Sequence, residues 1–450
     1  MKKKSRNKNI ALSAFAIWAG LIVAYTIKII AYPDASVVSH TLNKPLTRVE
    51  RAVIYDRASR VIAFDSPKGR RYPLGPVMAH ALGYSSPIHG MTGIERQRSE
   101  DLTGSGAQAE YFTDNTKPVR TTIDAKLQVT ADQALGTYKG TIIVMTTSGE
   151  VLALVSHPTF DPNRINDGKY WSNLTQDTGK PLLNRCMAGS YPLGSVMKIV
   201  DTLTLLEKKD NSKEYLCKGS YPVNERNKVN CTHPHGEVDL RRAFAVSCNG
   251  YFMKSMLTRA SEKEFLSVAG LFFTKLPTDI KLLRDREFAL AAIGQGSITV
   301  RPVEVLQLVN AIANGGFLVQ PAFVSGETAS VKKKVMDSAI ALKLRSMMTD
   351  VVRSGTGKNL RGFISGERVL GVKTGTAQLT AGKKSKNVNW LVGFYGNSNS
   401  KPQYSFVVVL EDVKGFAAET AGPLISKVLM ELDKIDGRVT SAETLSSESK

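Results

Sequence analysis

At 450 residues, with 42% apolar and 22% charged side chains, the chain is long enough for two or three domains with a real core. Ordinary Gly (36) and Pro (18) contents exclude a collagen-like chain, and a single long apolar run excludes a polytopic membrane protein. A net charge of +20 suits nucleic acid, an anionic membrane or an acidic polymer and does not choose among them.

Lys2, Lys3, Lys4, Arg6 and Lys8 precede an apolar run from Ile10 to Ala31. About 22 residues make roughly 33 Å of helix, enough to cross a bilayer. Cations stay on the cytoplasmic side, so the pattern predicts a cytoplasmic tail over 1–9, a transmembrane anchor over 10–32 and everything after Tyr32 outside the cytoplasm. Lys28, near the outer end, snorkels to the headgroups. A cleaved signal peptide fits less well, because its apolar core is shorter, ~7–15 residues, and no small-residue site follows Ile30.

Outside the cytoplasm disulfides are permitted, and the cysteines are Cys186, Cys217, Cys231 and Cys248. Cys217 and Cys231 flank a short loop rich in Asn, Lys, Gly and Pro and are the pair expected to be bridged. Cys231-Thr232-His233-Pro234-His235 invites a metal reading. Its spacing matches no standard zinc pattern and the sequence supplies no second cluster, so no metal is expected.

From residue 33 to 118 the chain is basic and broken by turn formers, with strand-like pieces at Ala52–Tyr55 and Val61–Phe64, and reads as a small pedestal. A domain expected over 119–438 follows. Asp124 to Leu135 has helical spacing, while Thr141–Met145 and Val151–Val155 read as a buried hairpin. Segments from Ser195 to about Ala313 read as mostly helical, and Leu370–Leu379, Asn389–Tyr395 and Tyr404–Leu410 as strands. Pro423 opens a last helix whose Leu424, Ile425, Val428, Leu429, Leu432 and Ile435 form one stripe for packing on a sheet. Strands at both ends of a helical middle predict an α/β sandwich with a split sheet. Residues 439–450 are Ser/Glu-rich and expected to be disordered.

Ser195 follows the turn former Tyr191-Pro192-Leu193-Gly194 and opens a helix apolar around most of its circumference. Lys198 lies three residues on, sharing a face with Ser195, so its amine reaches the hydroxyl. Burial and a second nearby cation lower a lysine pKa and turn the amine into a base. Lys373, in Val372-Lys373-Thr374-Gly375-Thr376 on an apolar strand, is the candidate second cation, and Gly375 permits close approach of a ligand backbone. Ser247-Cys248-Asn249 lies between them and offers another hydroxyl and an amide. Each motif alone is weak, since Ser caps helices and Lys-Thr-Gly forms turns.

In this order the three motifs resemble those of the penicillin-binding proteins, specifically the membrane-anchored class B transpeptidases of peptidoglycan synthesis. The resemblance extends to Thr122-Ile123-Asp124, Gly149-Glu150-Val151-Leu152-Ala153, Pro158-Thr159-Phe160-Asp161-Pro162-Asn163, Asn184-Arg185, Gly294-Gln295-Gly296, Gly355-Thr356-Gly357 and Trp390, and covers Pro118 to Ile435. It implies the penicillin-binding/β-lactamase-like α/β fold, an antiparallel sheet sandwiched by helices with a helical subdomain. It further implies Ser195 as acylated nucleophile, Lys198 as general base and Ser247 as proton relay. Asn249 would hold the donor peptide and Lys198, while Lys373, Thr374, Gly375 and Thr376 would bind the substrate carboxylate. The oxyanion hole would be the backbone N–H groups of Ser195 and Thr376. The implied partners are peptidoglycan stem peptides, β-lactams and a SEDS-type glycan polymerase; no cofactor is implied.

A β-lactamase or D,D-carboxypeptidase shares these motifs. Against a class A β-lactamase, no Glu-x-x-Leu-Asn lies between Asn249 and Lys373. A β-lactam sensor would carry more transmembrane runs, and a scaffold would be free to lose Ser195, Lys198 or Lys373. Nucleic-acid binding is not expected, since aromatics are 7% and unclustered. Tyr191, Trp171 and Trp390 read as core aromatics before groove aromatics, Cys248 as a packing residue, and Asp161 and Asn163 as loop-fixing residues.

Overall fold

Ile142, Ile143, Val144 and Met145 are all fully buried, although successive residues of a strand face opposite ways. Their strand is therefore covered on both sides. It belongs to the five-stranded antiparallel sheet at the centre of the computed structural model, which describes residues 50–104, 116–208, 214–222, 228–276, 285–327, 333–379, 386–397 and 401–437. The strands are β1 (Gly140–Thr146), β2 (Val151–His157), β3 (Arg368–Leu379), β4 (Lys386–Asn397) and β5 (Tyr404–Val413), in the spatial order β3-β4-β5-β1-β2. The early hairpin and the three late strands thus join in one sheet, as the split pattern predicts. Lys373 pairs with Val392 and Gly375 with Trp390, which places the Lys-Thr-Gly segment on an edge strand.

Helix α1 (Ala125–Leu135) starts on Asp124, whose carboxylate accepts from the N–H groups of Lys126 and Leu127 and so satisfies two orphan donors. It packs on β2 and on the last helix, α6 (Gly422–Ile435). The predicted stripe of α6 is buried at Leu424, Ile425, Val428, Leu429 and Leu432, and Ile435 is half-buried. Asp433 fixes α6 to the sheet, because Tyr395 donates to its carboxylate at 2.8 Å and Arg368 pairs with it at 3.0 Å. Helices α4 (Pro302–Ala313) and α5 (Ser338–Ser354) pack on β5 and β3 respectively.

The middle segment, expected to be mostly helical, also contains short strands. Between α2 (Lys198–Glu207) and α3 (Asn249–Arg259), Tyr215–Cys217 pairs with Gly236–Val238 and Ser220–Pro222 with Lys228–Asn230. Gly219 and Gly236 lie at φ +94° and +69°, the left-handed turns that interrupt any helix here.

The described residues from Arg51 onward form one compact unit. Its N-terminal part carries a four-stranded sheet ordered Gly69–Arg71, Val61–Ser66, Ile54–Tyr55, Val119–Arg120. Beside it the fully buried Glu95 meets Arg51 at 2.9 Å and Arg70 at 2.7 Å and accepts from Tyr72 Oη at 3.2 Å. The apolar run at 10–31 and the tail at 439–450 lie outside the described residues; among the described residues no helix is long and apolar enough to cross a membrane.

Candidate active site

Ser195 lies in a 3-10 turn, Gly194–Met197, that leads into α2 at Lys198. In a 3-10 turn residues i and i+3 eclipse, so the amine of Lys198 sits over the Ser195 hydroxyl, with Nζ 3.1 Å from Oγ. The turn is held from below. Gly194 N–H donates to the Gly294 carbonyl at 2.9 Å, and a Cβ on Gly294 would fall 1.9 Å from the Gly194 oxygen. Trp390, fully buried, donates its indole N–H to the Pro192 carbonyl at 2.9 Å. Gly375 approaches from β3 so closely that a Cβ there would meet the Leu193 oxygen at 2.7 Å. These contacts bring the Ser195 and Thr376 backbones side by side.

Lys198 is fully buried and surrounded by four oxygens: Ser195 Oγ at 3.1 Å, Ser247 Oγ at 3.1 Å, the Ser247 carbonyl at 2.7 Å and Asn249 Oδ1 at 2.7 Å. The amide orientation of Asn249 is set by Nδ2, which donates to the Asn230 carbonyl at 2.8 Å. Two of the four oxygens only accept. A neutral amine has two N–H groups for those two and one lone pair, which is left facing the hydroxyls. Burial pulls the Lys198 pKa down to about 8. Lys373 is equally buried, donates to Ser247 Oγ at 3.0 Å and to the Thr374 carbonyl at 3.1 Å, and is pushed well below its ordinary value by burial and then by the charge on Lys198. Two ammonium groups around one hydroxyl repel, and the pocket favours a single charge.

Ser247 has φ +58°, a strained left-handed conformation for a residue with a side chain. That geometry turns its carbonyl and its hydroxyl toward the same amine. Asp201, one turn beyond Lys198, is fully buried with neither carboxyl oxygen hydrogen-bonded, and burial holds its carboxyl well above the ordinary range.

A groove of about 950 Å³ opens over this cluster, with Ser195, Ser247, Asn249, Thr374 and Thr376 on its floor. Thr356 joins them, its Oγ1 2.6 Å from that of Thr374. Lys228–Thr232 and Phe416–Glu419 form further walls; sequence reasoning named neither wall for this purpose, and no local motif marks them. Tyr191 and Trp390 are core residues outside the groove, Tyr191 donating to Glu411 at 2.7 Å. Trp171 stacks on His89 at 4.0 Å, also outside it. Asp161 fixes its loop by accepting from Asn163 N–H at 2.9 Å, and Asn163 exchanges bonds with the Tyr72 backbone.

The cysteines correct one expectation. Cys217 and Cys231 are not bridged: their sulfurs are 3.7 Å apart against a bond of about 2.05 Å, and all four cysteines are free. Cys217, Cys231, His235 and Cys248, the last fully buried, present donor atoms all within 4.8 Å of one another, a grouping that the sequence spacing does not bring out. Motif spacing missed it because two donors come from one strand pair, one follows the other, and the fourth belongs to the Ser247–Asn249 turn.

Comparison with known proteins agrees with this geometry. Residues 140–431 match the family model described as the penicillin binding protein transpeptidase domain. The chain is 25% identical over 427 residues to the peptidoglycan D,D-transpeptidase PbpA of Mycolicibacterium smegmatis, covering 84% of each. It is 26% identical over 467 residues to the peptidoglycan D,D-transpeptidase MrdA of Acinetobacter baumannii, covering 82% of this chain and 67% of that one. Its fold is similar to that of penicillin-binding protein A from M. tuberculosis in its ceftriaxone acyl-enzyme complex, with TM-score 0.74 at 23% identity, covering 85% of this chain and 98% of that chain.

Proposed function

The chain belongs to the penicillin-binding protein transpeptidase family, as a class B member, and from that premise we propose that it cross-links peptidoglycan stem peptides through an acyl-enzyme on Ser195. The observation that carries this reading is Lys198: a buried amine 3.1 Å from Ser195 Oγ, with the Ser247 carbonyl and Asn249 Oδ1 placed to take up the two N–H groups of its neutral form.

In the first half-reaction Ser195 Oγ bonds to the carbonyl carbon of the terminal D-alanyl peptide and its proton passes to Lys198. The C–N bond then breaks, and the departing D-alanine takes a proton delivered by Lys198 through Ser247 Oγ. Developing negative charge on the carbonyl oxygen is met by the backbone N–H groups of Ser195 and Thr376. Lys373 with Thr374 and Thr376 receives the substrate carboxylate. In the second half an amine of a neighbouring stem bonds to the ester carbonyl carbon, the C–O bond to Ser195 breaks, and the proton lost by the amine returns to Ser195 Oγ through Lys198. A β-lactam acylates the same oxygen, and ring opening leaves no departing fragment to clear the groove.

The same reading has the apolar run at 10–31 hold the catalytic unit on the outer face of the cytoplasmic membrane, beside a SEDS-type glycan polymerase. What supports it is the hydropathy of that run and the family resemblance; co-purification of such a polymerase with the full-length chain from detergent tests it, and its absence at stoichiometric recovery removes the partner.

The test of the acyl-enzyme is intact mass of the detergent-solubilised full chain after benzylpenicillin. One adduct per chain is expected, absent in Ser195→Ala. Rapid loss of the adduct marks a β-lactamase, and no adduct in the wild type rejects the reading.

A further inference from the structure

In the cluster behind the Ser247–Asn249 turn all four donor atoms lie within 4.8 Å of one another, and three of the donor–donor distances are close to the edges of a tetrahedral site. Cys217 Sγ lies 3.7 Å from Cys231 Sγ and 3.4 Å from His235 Nδ1, and Cys231 Sγ lies 3.9 Å from Cys248 Sγ. An ion bound tetrahedrally at about 2.3 Å to sulfur and about 2.05 Å to nitrogen sets S···S edges near 3.8 Å and S···N edges near 3.6 Å. A disulfide requires a far shorter separation. The donors converge because the antiparallel register Cys217↔Gly236 puts His235 beside Cys217, while Cys231 N–H donates to the Gly219 carbonyl at 2.9 Å and closes the second hairpin over it.

The donor chemistry is equally specific. Three sulfurs and one imidazole with no carboxylate suit a soft or borderline d10 ion and not magnesium or calcium. Cys217 and Cys248 are buried and Cys231 and His235 half-buried, and four protein donors fill the positions of a tetrahedral ion, as in a structural site. Cys248 Sγ accepts from Tyr251 N–H at 3.5 Å, an outer bond of the kind that steadies a ligating thiolate.

We propose that Cys217, Cys231, His235 and Cys248 bind one zinc-class ion, and that this ion is structural and fixes the catalytic turn. Binding replaces the thiol protons, which leave to solvent, by metal–sulfur bonds, with no change of oxidation state. The coupling to catalysis runs through two neighbouring residues. Cys248 stands between Ser247 and Asn249, both of which hold Lys198, and Cys231 follows Asn230, whose carbonyl receives the Asn249 amide. The ion thereby ties the Lys228–Thr232 wall of the groove to the residues around the base. The binding itself is independent of the acyl-transfer reading, and only the coupling rests on it.

The experiment uses the untagged full-length chain in detergent. Elemental analysis of protein purified without chelator is expected to give one zinc per chain, and metal-free protein titrated with Co2+ is expected to show sulfur-to-cobalt charge transfer and tetrahedral visible bands at one equivalent. Cys217→Ser and His235→Ala lose or weaken these signals, whereas Cys186→Ser keeps them. Metal-free protein should acylate with a fluorescent penicillin on the order of 10- to 100-fold more slowly, the cost of a displaced catalytic group, and recover with added zinc. Three results overturn the proposal: metal uptake below stoichiometry, cobalt bands unaltered by both substitutions, or an intact mass showing a Cys217–Cys231 disulfide in freshly purified wild type. Equal acylation rates with and without zinc overturn the coupling alone, and the Ser195→Ala control separates that result from failure of the acyl-enzyme reading.

Discussion

Asn249 Oδ1 lies 2.7 Å from Nζ of Lys198, as close as any oxygen in the site. The side chain that contacts the base is an amide, so it accepts without adding charge. Asn249→Asp places a carboxylate there, which favours the ammonium form and raises the Lys198 pKa from about 8. Acylation by penicillin at neutral pH should fall about tenfold or more, since one pKa unit is a tenfold change in neutral amine, and recover partly in alkali. An unshifted pH midpoint in this variant would show that the contact does not tune the base.

The wild-type acylation rate constant should itself rise with pH through about 8, because Lys198 accepts the Ser195 proton only when neutral. Linkage gives a second readout. Lys198 titrates near 8 in the folded chain and near its ordinary value of 10.5 unfolded, so between these values the unfolded chain binds the extra proton. Stability therefore rises with pH across that window; the penalty is complete below it and gone above it. Lys198→Met should reduce the pH dependence of the denaturant midpoint between pH 8 and 10, leaving the part that the equally buried Lys373 contributes, and an unchanged slope would refute the assignment.

Gly294→Ala should disable the site without touching any polar group in it. Its Cβ would fall 1.9 Å from the Gly194 oxygen, and its φ of +68° is one that Ala adopts at a cost. A loss of roughly 2–4 kcal/mol of stability is expected, with acylation falling more than stability accounts for. Thermal melting beside penicillin labelling measures both; full activity in this variant would mean that the loop does not hold the Ser195 turn.

Glu95→Gln leaves Arg51 and Arg70 facing a neutral amide in a buried site. A cost of about 3–5 kcal/mol is expected, as for a broken buried ion pair. Denaturant unfolding checks it, and a change within 1 kcal/mol would show these guanidiniums to be compensated elsewhere.

The sheet and the Ser195–Lys198 pair were legible in the chain because both are local patterns: apolar runs bounded by turn residues, and a hydroxyl one helical turn from an amine. Asp124 could be read as a helix start for the same reason. The 3-10 geometry at Gly194–Met197 was not, since it follows from tertiary contacts of Gly194 and Trp390 with residues far along the chain. The sulfur cluster was hidden for a related cause. Cys217 and His235 meet across a strand pairing of three residues a side, too short to announce itself by periodicity, and Cys248 was claimed by a motif in which its own identity is immaterial.

Ser247 Oγ accepts from both lysines, 3.1 Å from one and 3.0 Å from the other. A region that tolerates one ammonium tolerates two once an anion settles nearby. Arrival of a carboxylate-bearing ligand should then draw a proton in from the buffer before any bond to Ser195 is made. Calorimetry of a non-acylating stem-peptide mimic on the Ser195→Ala chain, run in buffers of different ionisation enthalpy, would register that uptake as a heat that changes with the buffer.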